Sequence, residues 1–414
     1  MLLVSHRPRI DASPSFSRSW NVSRATNYGS VGADREAAVN RQRIHVAIIC
    51  GGRSGEHEIS LRSARSVLDA IDRDRYRVSL IGIDRSGRWH LLEESAFHTL
   101  TARGLPALNG SGGEIVLAPA PTGGELIDLQ RVASELPPID VVFPVLHGTY
   151  GEDGTVQGLL ELADVAYVGA GVLGSAVGMD KDVQKRLLRD AGLPIVPFLT
   201  VTRTQWASAA ADLHRRAVAL GLPVFVKPAN LGSSVGITKV KTADALAAAV
   251  DFALAYDNKI IIEKGIDARE IECAVLGNED PRASVPGEIS PTAEFYSYEA
   301  KYVDEHGATL QIPAPLSAAE TTTVRALAVR VFQALECSGM ARVDFFLERG
   351  SGAWFVNELN TIPGFTSISM YPKMWEASGI PYPELISRLI ELALERHAQR
   401  QRLKQTYTPA IAGR

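Results

Sequence analysis

Cysteine is scarce in this chain: 414 residues hold three, Cys50, Cys273 and Cys337, far apart and without a C-x-x-C. That excludes a disulfide framework and a thiolate metal centre, and it fits a reducing compartment. Long apolar runs are absent too; none approaches the ~18 residues that a membrane-spanning helix needs. An excess of positive charge is also missing. With 43 Lys and Arg against 47 Asp and Glu the formal net charge is -4, so nothing points to nucleic acid and any phosphate binding must be local. No internal repeat is visible. His57-Glu58 begins an H-E-x-x-H zinc helix, but Leu61 stands where the second histidine belongs.

What is present is ordinary globular material, 46% hydrophobic and 22% charged, enough for two or three domains with cores. The first 43 residues differ: Arg7, Arg9, Arg18, Arg24, Arg35, Arg41 and Arg43 face three acids among many serines. Without an apolar h-region this is no secretory signal, which leaves a disordered tail, an upstream start codon or an organelle transit peptide. The functional part starts near Ile44.

"IHVAIIC" (Ile44–Cys50) is a near-continuous apolar run ending in Gly51-Gly52, as a buried parallel strand would. Ala64, Val67, Leu68 and Ile71 then follow helical spacing. "RVSLIGID", "IDVVFPV" and "VAYVG" read as further strands, with a Gly- and Pro-rich stretch from Gly104 to Gly124 between them. Alternating strands and helices predict a doubly wound parallel sheet, whose ligands sit beyond the carboxyl ends of its strands. "GGRSGEHEIS" and "LHGTYGEDG" lie at those ends. From Lys181 the pattern becomes α+β. A helix with Val183, Leu187, Leu188 and Ala191 on its apolar face ends at Gly192. A strand, glycine loop and strand follow in "LPVFVKPANLGSSVGITKV", then an Ala-rich helix (Thr242–Ala255) and the strand "KIIIEKGI". The strands "EIECAVLG", "ARVDFFLE" and "AWFVNELN" come next, with helices over Ala318–Leu335 and from Tyr382.

Three stretches carry chemistry. In "VKPANLGSSVGI", Lys227 ends a strand before a loop of Gly232, Ser233, Ser234 and Gly236. The loop enters a second strand, so it is not a Walker A, yet its N–H groups and hydroxyls suit phosphate; a plain Gly-Ser hairpin is the alternative. In "ARVDFFLERGSGAWFVNELN", Arg342 and Asp344 share a strand face, as do Glu358 and Asn360. Pairing Asp344 opposite Glu358 puts all four on one face and predicts an odd loop, such as Arg349 to Ala353. Two carboxylates and an amide suit Mg²⁺ or Mn²⁺ held partly by substrate phosphates. "FYSYEAKYVDEHGA" (Phe295–Ala308) is a long tyrosine-rich loop, a candidate lid with Lys301 and Tyr302 as its reactive groups. His147, beside glycines past a strand end, is either a structural histidine or a ligand contact.

"YVGAGVLGSAVGMDK" contains G-x-G-x-x-G (Gly169, Gly171, Gly174) between a strand and a helix, the pattern of a dinucleotide turn. The acid that should end a second strand about twenty residues on is missing; Asp190 falls in a helix instead. The dehydrogenase reading loses.

Taken in order, "GGRSGEHEIS", "HGTYGEDGTVQG", "YVGAGVLGSAVGMDK", "VKPANLGSSVG", "FYSYEAKY", "RVDFF" and "NELNTIPGFT" resemble the D-alanine–D-alanine ligases of the ATP-grasp superfamily. The resemblance runs from Ile44 to about Leu394 and implies α/β and α+β architecture: an N-terminal doubly wound parallel-sheet domain (44–170) followed by a two-lobed ATP-grasp domain. The central lobe would cover 171–266 and the C-terminal lobe 267–396, with tails at 1–43 and 397–414. ATP and two Mg²⁺ or Mn²⁺ ions are implied, as are D-alanine as substrate and a homodimer; the missing signal, the cysteine pattern and the need for ATP predict a cytoplasmic protein, and charge balance and short apolar runs predict no nucleic-acid or membrane partner.

By position, the resemblance implies Lys181 and Lys227 at the α- and β-phosphates, Glu263, Lys264 and Ile266 at the adenine, and Glu270 at the ribose. Ser233 and Ser234 would lie over the phosphates, and Lys301 at the γ-phosphate. Asp344, Glu358 and Asn360 match metal ligands. Glu56 would pair with the ammonium of the first D-alanine and His147 lie near its carboxylate. Glu56, Ser233 and Tyr302 match a trio that locks the lid. Arg342 and the Gly364 N–H would stabilise the oxyanion, and Ser369 would take the second carboxylate. One departure is Thr149-Tyr150, where relatives often carry Gly or Pro. The implied activity is ATP-dependent D-alanyl-D-alanine synthesis for peptidoglycan precursors. D-Ala-D-Lac or D-Ala-D-Ser ligation and a non-catalytic ATP-binding regulator are the rival readings.

Overall fold

The computed structural model describes residues 43–407 apart from 103, 105, 111, 120–123, 130–137, 292–307, 367, 405 and 406. The N-terminal tail up to residue 42 and the lid residues Lys301 and Tyr302 lie outside the described residues.

The first sheet has seven strands: β1 (Ile44–Gly51), β2 (Tyr76–Ile83), β3 (Trp89–Leu92), β4 (Gly113–Leu117), β5 (Leu126–Asp128), β6 (Val141–Val145) and β7 (Ala166–Tyr167), in the order 5-4-3-2-1-6-7. β2, β1, β6 and β7 are parallel, as their apolar runs predict. β3, β4 and β5 form an antiparallel meander instead. The reason is connection length: only Asp84 to Arg88 separates β2 from β3, too short for a helical crossover. Asp84 Oδ1 accepts from the N–H groups of Ser86 and Arg88 at 2.8 and 3.1 Å, and Gly87 sits at φ 93° to close the turn. β4 lies inside the stretch that composition alone marks as loop.

Helices α1 (His57–Ala70), α2 (Glu94–Leu100) and α3 (Thr155–Leu162) belong to this part. After β7 the chain turns at Gly169 (φ 96°) into α4 (Val172–Met179). Gly174 is required for contact, since a Cβ there would stand 2.6 Å from the carbonyl oxygen of Glu336. The Gly-x-Gly-x-x-Gly run is thus a turn and a packing site.

α5 (Lys181–Asp190) departs from the expectation for its buried face. Lys181, Gln184, Lys185 and Leu188 are buried, whereas Leu187 and Ala191 are exposed and Val183 half-buried. The helix turns its polar stripe inward because that stripe meets ionic partners. α6 (Arg203–Val218) and α7 (Leu246–Leu254) cover a four-stranded antiparallel sheet of β8 (Phe198–Thr202), β9 (Val224–Pro228), β10 (Thr238–Val240) and β11 (Lys259–Lys264), in the order 10-9-11-8. Val224, Val226, Ile260 and Ile262 meet Leu213, Leu246 and Val250 in a core of its own.

The third sheet is antiparallel: β12 (Ala268–Gly277), β13 (Arg282–Ala283), β14 (Gly287–Pro291), β15 (Ala308–Gln311), β16 (Gly339–Glu348) and β17 (Trp354–Asn360). α8 (Ala318–Ala334) packs on one face through Val324, Ala328 and Val331. α9 (Met370–Ala377) and α10 (Tyr382–Gln401) lie elsewhere. Their Tyr371, Trp375, Leu385 and Leu389 share one core with Val46, Ile48 and Phe143 of the first sheet. That shared core brings β1, β6 and the 362–369 segment to one place. No helix of the described residues is long and apolar enough to cross a membrane.

Candidate active site

A cleft of about 570 Å³ collects residues from all three sheets' loops and strands. Its metal-like face is set by the β16–β17 hairpin. Asp344 stands opposite Glu358 and Arg342 opposite Asn360, as the expected register requires. The extra residue comes from a different source than expected. Leu347 pairs with Trp354 and Phe345 with Val356, so the register slips by one between Asp344 and Phe345. The turn is even, and a β-bulge at Asn357 restores the common face.

On that face Arg342 donates from Nε to Asp344 Oδ1 and from Nη2 to Asp344 Oδ2, both at 2.7 Å, with Glu272 Oε2 3.0 Å from Nε. Asn360 Nδ2 donates to Asp344 Oδ2 at 3.0 Å, and Lys181 Nζ lies 3.2 Å from Glu358 Oε2. Among the described residues no three His, Cys, Asp or Glu side chains cluster as a metal cage. The expected donor set, Asp344, Glu358 and Asn360, is two opposed carboxylates and an amide. That fits a hard, oxygen-seeking cation completing its shell from phosphates and does not fit zinc. Glu270 and Glu272, neighbours on the β12 strand paired with β16, add carboxylates to the cleft.

Across the cleft, the Ser233 hydroxyl donates to Glu56 Oε1, joining chain positions 177 apart. Ser233 and Ser234 both adopt left-handed backbone, φ 50° and 61°, in the glycine loop. Two of the expected trio thus meet; the third, Tyr302, lies outside the described residues. Glu56 precedes α1, and the Ser54 hydroxyl accepts from its N–H at 3.1 Å while donating to the His147 carbonyl at 2.8 Å.

His147 lines the cleft, but both ring nitrogens are engaged in the protein. Burial pushes its pKa down, so the ring is neutral at pH 7. Nδ1–H donates to the Ile362 carbonyl at 3.0 Å, and Nε2 accepts from the Ser63 hydroxyl at 3.1 Å. The ring fixes the 362–364 segment to α1. Gly364 follows, and a Cβ there would meet Ser369 Oγ at 2.9 Å. Ser369 precedes α9, and its Oγ accepts from the Thr366 N–H at 3.1 Å. Tyr150, the departing residue, takes a left-handed φ of 63° and holds the Arg53 guanidinium 4.3 Å from its ring centroid.

Glu152 was not singled out by its sequence context. Burial and the neighbouring Glu56 push its carboxyl up to about 8, while the Gly148 N–H donates to Oε1 at 2.9 Å. A carboxyl raised on folding is neutral in the native state between its unfolded value near 4.5 and about 8, and stability falls as pH rises through that window. Glu152→Gln mimics the neutral form. We expect it to raise Tm relative to the unaltered protein at pH 8.5 and to change it little at pH 4.5, checked by thermal melts at both values.

The nucleotide-side residues form a second, drier group. Glu263 is 2% exposed and is held between Lys185 Nζ and Lys227 Nζ, both at 2.5 Å from its two oxygens. Burial opposes its charge, but the two ammonium groups win and its carboxyl falls to about 2. Lys181 Nζ also donates to the Leu231 carbonyl at 2.7 Å beneath the glycine loop. Lys264, the last residue of β11, is exposed, and Ile266 is half-buried on the connection to β12.

Residues 45–170 match the family model described as D-ala D-ala ligase N-terminus, and residues 187–391 the one described as D-ala D-ala ligase C-terminus. The chain is 56% identical to D-alanine–D-alanine ligase A of Bradyrhizobium diazoefficiens over 88% of its own length and 99% of that protein. Among solved structures, the D-alanine–D-alanine ligase from Coxiella burnetii superposes with a TM-score of 0.73 at 41% identity, covering 87% of this chain and 96% of that one. The VanG D-Ala:D-Ser ligase from Enterococcus faecalis superposes with a TM-score of 0.74 at 35% identity, covering 85% and 100%. Two matched halves and a cleft built where they meet agree: the chain belongs to the D-alanine–D-alanine ligase family, with the ATP-grasp fold.

Proposed function

We propose that this protein joins two D-alanines at the expense of ATP, through a D-alanyl phosphate, and so supplies D-alanyl-D-alanine for peptidoglycan precursors. The observation that carries this reading is the meeting of Glu56–Ser233 with Arg342, Asp344 and Glu358 in one cleft. A carboxylate is a poor electrophile, so the first D-alanine must be activated before an amine can attack it. Phosphoryl transfer between two anions needs charge neutralised on the oxygens and little covalent work from the protein. Lys181 and Lys227 serve the ATP phosphates, with Ser233, Ser234 and the loop N–H groups above them. Asp344, Glu358 and Asn360 would hold two Mg²⁺ or Mn²⁺ ions, which would neutralise phosphate charge when bound.

Glu56 takes the ammonium of the first D-alanine. Arg342 and the Gly364 N–H face the developing oxyanion when the second amine attacks, and Ser369 takes the second carboxylate. Glu270 meets the ribose, and Glu263, Lys264 and Ile266 border the adenine. His147 positions the 362–364 segment. Lys301 and Tyr302 belong to a lid that keeps water from the acyl phosphate. The reaction runs in the cytoplasm, where ATP is supplied, and the protein works as a homodimer, as the family resemblance implies.

The test is ADP release from purified protein with Mg-ATP and D-alanine, with L-alanine, D-serine and D-lactate arms beside it and products identified by mass. A D-alanine-dependent dipeptide is expected. A mixed D-alanyl-D-serine or D-alanyl-D-lactate product would move the second substrate. ATP binding without turnover would favour the regulatory reading. Curated relatives 50–56% identical over most of the chain are named D-alanine–D-alanine ligase, which supports the dipeptide.

A further inference from the structure

Lys185 is 1% exposed, in the middle of α5, and no feature of the reaction calls for it directly. A lysine is rarely buried without a partner, because its charge is costly to strip of water. Here it has two. Its Nζ lies 2.5 Å from Glu263 Oε1 and donates to the Asn357 carbonyl at 3.1 Å. Glu263 in turn holds Lys227, and Asn357 is the bulge residue that sets Glu358 opposite Asp344.

We propose that Lys185 is a positioning residue for the nucleotide–metal site, acting on Lys227 and on Glu358 at once. This rests on the assignment of Lys227 to phosphate and Glu358 to metal. On the nucleotide side, Lys185 shares the negative charge of Glu263. Lys227 is then not fully committed to that carboxylate and keeps attraction for an incoming phosphate. On the metal side, a bulge leaves a residue outside the regular ladder. Lys185 occupies that residue's carbonyl with a charged donor and fixes the conformation that turns Glu358 toward Asp344. Lys181, one helical turn earlier on the same face, reaches Glu358 itself. One helix therefore ties β11 of the four-stranded sheet to β17 of the third sheet.

Lys185→Met is the direct test. Methionine fills a similar slot, and the remaining Lys227–Glu263 pair stays balanced, so the fold has no reason to collapse. Binding of ADP is measured by calorimetry, with and without Mg²⁺, alongside thermal melts and the KM for D-alanine. We expect the Kd for Mg-ADP to rise about tenfold or more, a shift of ~1.4 kcal/mol. The Mg²⁺ concentration needed to strengthen ADP binding should also rise, while the KM for D-alanine stays within about twofold. Should Lys185→Met not fold, Lys185→Gln, which keeps an N–H donor without the charge, takes the same measurements. A variant with lowered Tm but unchanged Mg-ADP affinity would reduce Lys185 to a structural role and overturn the proposal. No Mg-ADP binding by the unaltered protein would overturn both this proposal and the nucleotide assignment beneath it.

Discussion

Arg342→Ala is expected to lower kcat by about 10²–10³-fold while changing the Kd for ATP by no more than about threefold. The reason is where its charge is needed. In the structure the guanidinium is bidentate on Asp344 and flanked by Glu272, on the cleft wall and not among the nucleotide-side lysines. In the proposed reaction its further partner is an oxyanion that exists only while the second amine is attacking, and an interaction made only in the transition state lowers turnover without loosening ground-state binding. Steady-state kinetics and ATP titration on one preparation separate the two quantities. Equal loss of ATP binding would place Arg342 in the nucleotide subsite instead. Glu272 sharpens the expectation: it holds the guanidinium from β12, so Asp344 is not the arginine's sole anchor.

Glu263→Gln is expected to destabilise the protein by about 3–5 kcal/mol, because it leaves two ammonium groups in a dry place without the carboxylate they share. That corresponds to a Tm lower by on the order of 10 °C. The contrast with Lys185→Met is the informative part. Removing one of two cations leaves a neutral pair, whereas removing the shared anion leaves uncompensated charge. The pH dependence follows from the lowered carboxyl. Its folded value is about 2 against 4.5 for the ordinary group, so its stabilising contribution is complete above 4.5 and disappears as pH falls toward about 2. Glu263→Gln should therefore show a flatter loss of stability than the unaltered protein between those limits, measured by denaturant melts across the acid range.

Much of the candidate face was legible because strand periodicity is strict. Arg342 and Asp344 share one face by period two, as do Glu358 and Asn360, and the paired register puts the two faces together. The bulge was not legible, since a bulge and an odd loop make the same parity. The nucleotide side was harder. The helical pattern of α5 suggests Leu187 and Ala191 as its buried face, yet both are exposed and Lys185 is buried. Apolar periodicity fails where a helix packs on ions. A signal was available in the lysines at 181 and 185, one turn apart beside Leu188. The β3–β5 meander escaped notice because its strands are short and one lies among glycines, where composition resembles loop. Glu272 and Glu152 gave no sign, because each acquires its meaning from a neighbour remote in the chain.

The core shared by the first sheet with α9 and α10 separates the order of synthesis from the order of assembly. The ribosome delivers β1 and β6 long before Tyr371 or Leu389, so the flank of the first sheet that α1 shares with the last helices is only part-covered until those helices emerge. The four-stranded sheet, with its own closed core, completes itself in between. The opening and closing segments of the chain thus form one body, and the four-stranded sheet between them in sequence is an insertion with a core of its own.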